Sequence, residues 1–275
     1  VCSSDLPAPY EIRDSFCMTA GEMVVELVKQ NIRPRDIVTR KALENAAAVV
    51  AASGGSTNAA LHLPAIANEC GIKFDLFDVA EVFKRTPYVA DLKPGGRYVA
   101  KDMFEVGGIP LLMKTLLDHG YLHGDCMTVT GRTLGEEIDA APPPWDQDVV
   151  RPFDNPLYPQ GGIAVLRGNL APDGAIVKQS AASEHLMDHT GRAVVFEDQE
   201  DLANRIDDPD LDVGPEDILV MKNAGPKGAP GMPESGYLPI PKKLATAGVK
   251  DMIRMSGARM SGTAFGSIVL HITPE

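Results

Sequence analysis

Cysteine is scarce and scattered in this chain. Cys2, Cys17, Cys70 and Cys126 stand far apart with no Cys-x-x-Cys spacing, which excludes a zinc knuckle or an evident disulfide framework and predicts free thiols in a reducing compartment. Long apolar runs are missing as well: no stretch reaches the roughly 18 residues of a membrane span, and no charged-then-apolar leader is present. A cytoplasmic location without membrane contact is expected. Basic residues are in deficit, with 26 Lys and Arg against 38 Asp and Glu, a net charge of -12 and a pI near 5.0. Nucleic acid and anionic membrane surfaces are therefore excluded as partners, because both are bound through clustered positive charge. Small molecules or other proteins remain. The chain opens on Val1-Cys2-Ser3-Ser4 without a methionine and stops directly after a strand-like run, so it reads as a fragment.

What is present is a soluble composition, 44% hydrophobic and 23% charged over 275 residues, enough for one or two domains with a sizeable core. The chain is organised around the stretch from Asn223 to Glu234. Three Gly and three Pro between Gly225 and Pro233 cannot form a helix or a central strand, so the stretch is a constrained loop. It follows the apolar strand Asp217 to Met221 and delivers one carboxylate, Glu234. Lys227 is followed by Gly228 and Ala229 rather than Ser or Thr, so a phosphate-cradling Walker loop is not matched. A second small-residue turn, Arg259-Met260-Ser261-Gly262-Thr263, lies downstream.

The first half, residues 1–150, is mostly helical. Helices are predicted over Ser15 to Lys29, capped by Asp14 or Ser15 and stopped by Asn31 and Pro34; from a Thr39 cap through Val50; over Ala59 to Cys70; Asp75 to Lys84; Ile109 to His119; and Leu134 to Ile138. Between the second and third helices, Ser53-Gly54-Gly55-Ser56-Thr57-Asn58 offers either an anion site or a plain helix cap. Residues 140–159, rich in Pro, read as the domain connection. The second half, residues 151–275, switches to short strands: Ile163 to Leu166, Ala175 to Val177, Ala193 to Phe196, Ile218 to Val220, Lys250 to Met255 and Ser267 to Ile272. Turns such as Pro172-Asp173-Gly174 separate them, and helices are expected at Glu200 to Ile206 and Lys242 to Ala247. This pattern predicts an α/β chain whose second half is β-barrel-like. Two histidine pairs, His119 with His123 and His185 with His189, have four-residue spacing, but Gly120 ends the first helix and no Glu follows His185, so neither reads as a metal helix.

Taken together, Ser53 to Asn58, Gly161 to Leu170, Gly225 to Glu234 and Ala258 to Thr263 resemble the dihydroxy-acid and sugar-acid dehydratase family, in the right order over nearly the whole chain. Gly236-Tyr237-Leu238-Pro239-Ile240-Pro241-Lys242-Lys243 is similar to the sugar-acid branch. The resemblance implies an N-terminal α/β domain, of which residues 1–150 are a mostly helical remnant, and a C-terminal β-barrel domain in a homodimer or tetramer. It implies dehydration of a 2,3-dihydroxy acid such as a pentonate to a 2-keto acid, with an iron-sulfur cluster (2Fe-2S or 4Fe-4S) and Mg²⁺.

Glu234 then matches the Mg²⁺-binding carboxylate and Ser261 the serine that takes the C2 proton. Two departures accompany the match. The cluster cysteines and the remaining metal ligands belong to a segment before Pro7 that this chain lacks, so the chain alone is expected to be inactive. Gly257 stands where the family usually has an acidic residue. The competing readings are the branched-chain dihydroxy-acid dehydratase and, from another class, a non-catalytic binding or assembly module.

Overall fold

The computed structural model describes residues 10–139, 146–225, 228, 238–260 and 266–273. The chain divides into two compact units, Val1–Gly55 with His62–Gly161, and Ser56–Leu61 with Gly162–Glu275. Helices dominate the first half: α1 (Arg13–Gln30), α2 (Pro34–Ile37), α3 (Arg40–Ala52), α4 (Ala59–Glu69), α5 (Leu76–Arg85), α6 (Ala100–Glu105), α7 (Gly108–Asp118) and α8 (Leu134–Asp139).

Local chemistry explains their starts. Thr39 Oγ1 accepts from the Ala42 amide at 3.2 Å, the predicted cap of α3. Asp75 Oδ1 accepts from the amides of Phe77 and Asp78, while Asp78 Oδ2 accepts from the Asp75 amide, closing a capping box on α5. At α1 the expected side-chain cap does not form. Ile12 occupies that position, and the Ser15 hydroxyl instead donates to the Ile12 carbonyl at 2.7 Å. Asn31 ends α1 as predicted, in the left-handed region at φ 55. Pro34 does not act as a stop. It opens α2, where its missing N–H costs nothing. The six-residue α6 escaped the sequence reading because it is too short to show a helical period.

The core of this unit is built on small side chains. Ala47, Ala48, Ala51 and Ala52 of α3 are buried, as are Val79, Val82 and Phe83 of α5 and Leu111, Leu112 and Leu116 of α7. Alanine lets backbone approach closely: a Cβ on Gly161 would lie 2.9 Å from that of Ala51. Tyr88 is fully buried, donates to the Leu92 carbonyl at 3.0 Å and stacks on Tyr158. Burial, then the charge of Asp91 and the neighbouring Tyr158, push its hydroxyl up to about 12.

The second unit carries β1 (Ala164–Gly168), β2 (Ala171–Val177), β3 (Ala193–Phe196), β4 (Ile218–Met221), β5 (Arg254–Ser256) and β6 (Ile268–Leu270), with α9 (Gln199–Arg205) and α10 (Lys242–Thr246). They form one mixed sheet in the order β1-β2-β6-β5-β4-β3. β3, β4, β5 and β6 are mutually parallel, whereas β2 runs antiparallel to both β6 and β1. The α/β class is as predicted. Among the described residues the sheet is open, with β1 and β3 at its edges, and a barrel closure is not seen.

Pro172 and Asp173 lie inside β2 rather than in a turn; the hairpin reverses between Gly168 and Ala171. The register shifts between Leu166 and Gly168, and proline is tolerated at such a bulge because no ladder donor is needed there.

The glycines of the Ser53 to Asn58 stretch have a packing role. Gly54 has φ +60, and a Cβ there would sit 2.3 Å from the Tyr88 ring. Gly54→Ala is expected to lower stability by about 2–4 kcal/mol through backbone strain and overpacking, seen as a lower urea midpoint at unchanged slope.

Candidate functional site

Four parallel strands put their carboxyl ends along one edge of the sheet, the edge where ligands bind in open α/β sheets. From β4 the chain continues through Lys222, Asn223, Ala224 and Gly225, and from β5 through Gly257, Ala258, Arg259 and Met260. Glu234 and Ser261 lie outside the described residues, as does Lys227. The segments that contain Glu234 and Ser261 start from this same edge, on neighbouring strands.

The two exits touch. A Cβ on Gly225 would lie 3.4 Å from the Gly257 carbonyl oxygen, and one on Gly257 would lie 3.4 Å from Gly225 Cα and 3.3 Å from the Ile272 oxygen. At Gly257 an added Cβ would be tight against the Ile272 oxygen, whereas at Gly225 it would make ordinary van der Waals contact. The first exit is tightly wound. Asn223 sits in the left-handed region at φ 52, and its side chain donates to the Glu197 carbonyl at 3.0 Å. The Gly228 amide donates to Gly225 at 3.1 Å, and a Cβ on Gly228 would overlap the Asn223 carbonyl. The second exit is held by Ser256 Oγ, which accepts from the Ala258 amide at 2.9 Å, and by the burial of Ala258 and Met260. The loop read from composition as constrained is constrained wherever it is described.

At the opposite edge, the amino ends of β5 and β6 meet a buried charge pair. Asp251 is 8% exposed and Arg254 3%. The Asp251 carboxylate accepts from the amides of Met252 at 2.9 Å and Ser267 at 2.9 and 3.0 Å, and from Ser267 Oγ at 2.8 Å. The Ser183 amide at 3.3 Å and Arg254 Nη2 at 3.3 Å complete its shell. Arg254 Nε donates to the Met252 carbonyl and Nη1 to the Leu238 carbonyl, each at 3.3 Å.

Burial acts to raise the Asp251 carboxyl, but the hydrogen bonds from Ser183 and Ser267 and the Arg254 charge outweigh it and hold it below its ordinary range. Gly266, at φ +118, leaves the space: a Cβ there would overlap both Arg254 Nη2 and Asp251 Oδ1. Sequence reasoning took Lys250 to Met255 as a plain strand and missed this pair. The available signal was two opposite charges three residues apart inside an otherwise apolar run.

Lys178, directly after β2, was also missed; burial pushes its ammonium down to about 8. The histidines of the two four-residue pairs have structural surroundings. His119 Nδ1 donates to the Thr115 carbonyl and its ring stacks on Phe153, while His123 Nε2 pairs with Glu44 at 2.9 Å. His189 bonds the Glu216 carbonyl at 2.8 Å, and His185 lies in a separate single turn, Glu184–Leu186.

Cys17 is exposed, Cys70 half-buried and Cys126 buried, and among the described residues no three His, Cys, Asp or Glu gather as a metal site. The described cysteines therefore do not fit an iron-sulfur cluster. In Ser53 to Asn58, the Asn58 amide donates to Ser56 Oγ at 3.2 Å before α4, the arrangement of a helix cap. No helix among the described residues is long and apolar enough to cross a membrane.

An open sheet with a parallel core and two glycine-bounded segments leaving one carboxyl edge defines an α/β protein whose strand ends are the candidate site. Comparison with known proteins specifies the family. Residues 1–137 match the family model described as Dihydroxy-acid/6-phosphogluconate dehydratase N-terminal, and residues 148–275 the corresponding C-terminal model. The chain is 61% identical over 274 residues to "Dihydroxy-acid dehydratase 2" of Bradyrhizobium diazoefficiens, covering 99% of this chain and 47% of the relative. It is 46% identical to "L-arabinonate dehydratase" of Rhizobium leguminosarum bv. trifolii over 98% of this chain and 46% of that protein. With "L-arabonate dehydratase" of Azospirillum brasilense the identity is 44% over the same shares. The chain belongs to the dihydroxy-acid/6-phosphogluconate dehydratase family. It spans about half the length of the curated relatives it matches.

Replacing Asp251 by Asn leaves Arg254 buried without its counter-charge and is expected to cost about 3–5 kcal/mol near neutral pH. Because the folded-state carboxyl is held below its unfolded value of about 3.9, its contribution is fully present above that pH and is lost as pH falls through the folded value. The difference in Tm between the native chain and Asp251→Asn should accordingly narrow between pH 6 and pH 3.

Proposed function

We propose that the whole protein to which this chain corresponds is a hydro-lyase that converts a 2,3-dihydroxy acid into a 2-keto acid, with Ser261 removing the C2 proton and Glu234 serving as a Mg²⁺ ligand. The observation that carries this reading is that the segments of Ser261 and Glu234 start side by side at the carboxyl edge of β5 and β4, where the Gly225 and Gly257 backbones meet. Two segments that are separate in the sequence thereby start from neighbouring points of one edge.

Ser261 Oγ takes the proton from C2, the electron pair forms the C2–C3 double bond, and the C3 hydroxyl departs as water after gaining a proton. The resulting enol becomes the 2-keto acid by taking a proton at C3 and losing the proton of its C2 hydroxyl. A serine hydroxyl removes such a proton only when nearby positive charge lowers its pKa, and Arg259 stands two residues away in sequence. A hard cation held in part by Glu234 would stabilise negative charge on the substrate carboxylate side. The described cysteines offer no cluster site, and the chemistry assigned to this chain stops at the proton and the carboxylate ligand.

The finer substrate is a sugar acid such as a pentonate, supported by the segment Gly236 to Lys243 and by the arabinonate-dehydrating names of two relatives. The 61% identity to a relative named dihydroxy-acid dehydratase favours a second reading, a branched-chain dihydroxy acid. Both share the reacting unit. A cytoplasmic homo-oligomer, dimer or tetramer, completes the proposal, with no nucleic-acid or membrane partner.

The test is keto-acid formation from pentonates and from branched 2,3-dihydroxy acids by the whole protein with cluster and Mg²⁺ supplied. Ser261→Ala and Glu234→Gln should each lower kcat by at least about 100-fold. Full activity in either variant removes that residue's role, and the preferred substrate decides between the two readings. Conversion of neither acid class would leave the non-catalytic module.

A further inference from the structure

Parallel neighbours cannot be joined by a tight turn, so the segments that leave the carboxyl ends of β4 and β5 must both travel back to the amino edge of the sheet before the next strand begins. At that edge both return points meet the same two side chains. The segment after β4 comes back at Leu238, which is fully buried and whose carbonyl accepts from Arg254 Nη1 at 3.3 Å. The segment after β5 comes back at Gly266 and Ser267. The Gly266 amide donates to the Ala181 carbonyl at 3.0 Å, and the Ser267 amide and hydroxyl both donate to Asp251. Arg254 and Asp251 are themselves paired at 3.3 Å.

We propose that the Asp251–Arg254 pair is a positioning device for the site, holding in one rigid unit the two points at which the Glu234 and Ser261 segments rejoin the sheet. The proposal rests on the functional reading of Glu234 and Ser261 given above.

Three features favour positioning over a generic buried ion pair. First, the carboxylate is saturated by donors from three separate stretches, around Ser183, Met252 and Ser267, so its place is determined from several directions. Second, the guanidinium is a planar fork that engages the Leu238 carbonyl, the Met252 carbonyl and Asp251 at once, which a lysine ammonium on a flexible stem would not reproduce. Third, room for the fork exists only because residue 266 is glycine. Only five residues, 261–265, separate buried Met260 from Gly266. Ser261 thus stands six residues before the Ser267 anchor.

Hydrogen exchange and steady-state kinetics of the whole protein test this, using Arg254→Lys, which keeps the charge and loses the fork, and Ser267→Ala, which removes one donor and leaves the pair. In Arg254→Lys, peptides covering 238–242 and 266–270 should both exchange at least about 10-fold faster while those of β3 and β4 keep the native rate. Dehydration should lose about 10-fold or more in kcat, with KM within about two-fold, because geometry and not binding is altered. Ser267→Ala should show a smaller change confined to 266–270, and it keeps the test decisive if Arg254→Lys does not fold.

Faster exchange in only one segment of Arg254→Lys, faster exchange throughout the sheet, a native kcat in Arg254→Lys, or no change at 266–270 in Ser267→Ala would each overturn the proposal. If the native protein dehydrates no dihydroxy acid, the functional reading fails on its own. The exchange pattern then still decides whether the pair couples the two return points.

Discussion

Parallel pairing of β4, β5 and β6 is the constraint from which the rest of the second unit follows. A parallel ladder supplies hydrogen bonds within the sheet but obliges each connection to cross from one edge to the other. Every connection therefore has an exit and a return, and each end has to be fixed if the residues between them are to have a definite place. The chain meets the two requirements with different chemistry. At the exits, side chains are removed and the Gly225 and Gly257 backbones lie against one another. At the returns, charge is added, and Asp251 with Arg254 gathers the backbone around Ser183, Leu238 and Ser267.

The use of charge at the return has a physical reason. A buried carboxylate loses several kcal/mol of hydration, and a single ion pair seldom restores it. Here the loss is offset by buried donors, the Ser267 amide and hydroxyl and the Met252 amide. Ser267 N, Met252 N and Ser183 N all find an acceptor in one side chain. An apolar replacement of the pair would fill the volume but orphan the Ser267 and Met252 amides, each at about 1–3 kcal/mol, while Ser183 N would keep Ser267 Oγ. Conformational specificity comes from satisfying several backbone stretches at once more than from the Coulomb attraction of the pair.

Much of this was legible from the residues. The continuous apolar run Ile218 to Met221 marked a buried strand, Thr39 and Asp75 marked helix starts, and the clustered glycines and prolines after Asn223 marked a constrained loop, because each reflects a local backbone preference. What the sequence hid was set by tertiary partners. Pro172 reads as a turn former, yet it sits in β2 beside a bulge that only the pairing with β1 creates. Pro34 reads as a stop but starts a helix, since both outcomes remove the same N–H. The Asp251–Arg254 pair was hidden for the same reason. Charge within a short apolar stretch signals a solvent-facing strand position as readily as a buried pair, and the donors that decide the matter come from Ser183 and Ser267, far away in the chain. Glu234 and Ser261 were singled out by resemblance rather than by spacing; the described structure contributes the common edge from which their segments depart.

The substitution of glycine at 257 acts on both the geometry and the charge of that edge. A Cβ there would be tight against the Ile272 carbonyl at 3.3 Å and in ordinary contact with Gly225 Cα at 3.4 Å, so a larger residue requires the Ile272 carbonyl to give by a few tenths of an ångström. Where the resemblance puts an acidic residue, this chain has one negative charge fewer, four residues before Ser261. A neighbouring carboxylate raises the pKa of a group that must lose a proton, and its absence lowers the cost of ionising that group. Gly257 therefore spares the Ile272 carbonyl a tight contact and, on the proposed mechanism, shifts the electrostatic balance at Ser261 toward the side of Arg259.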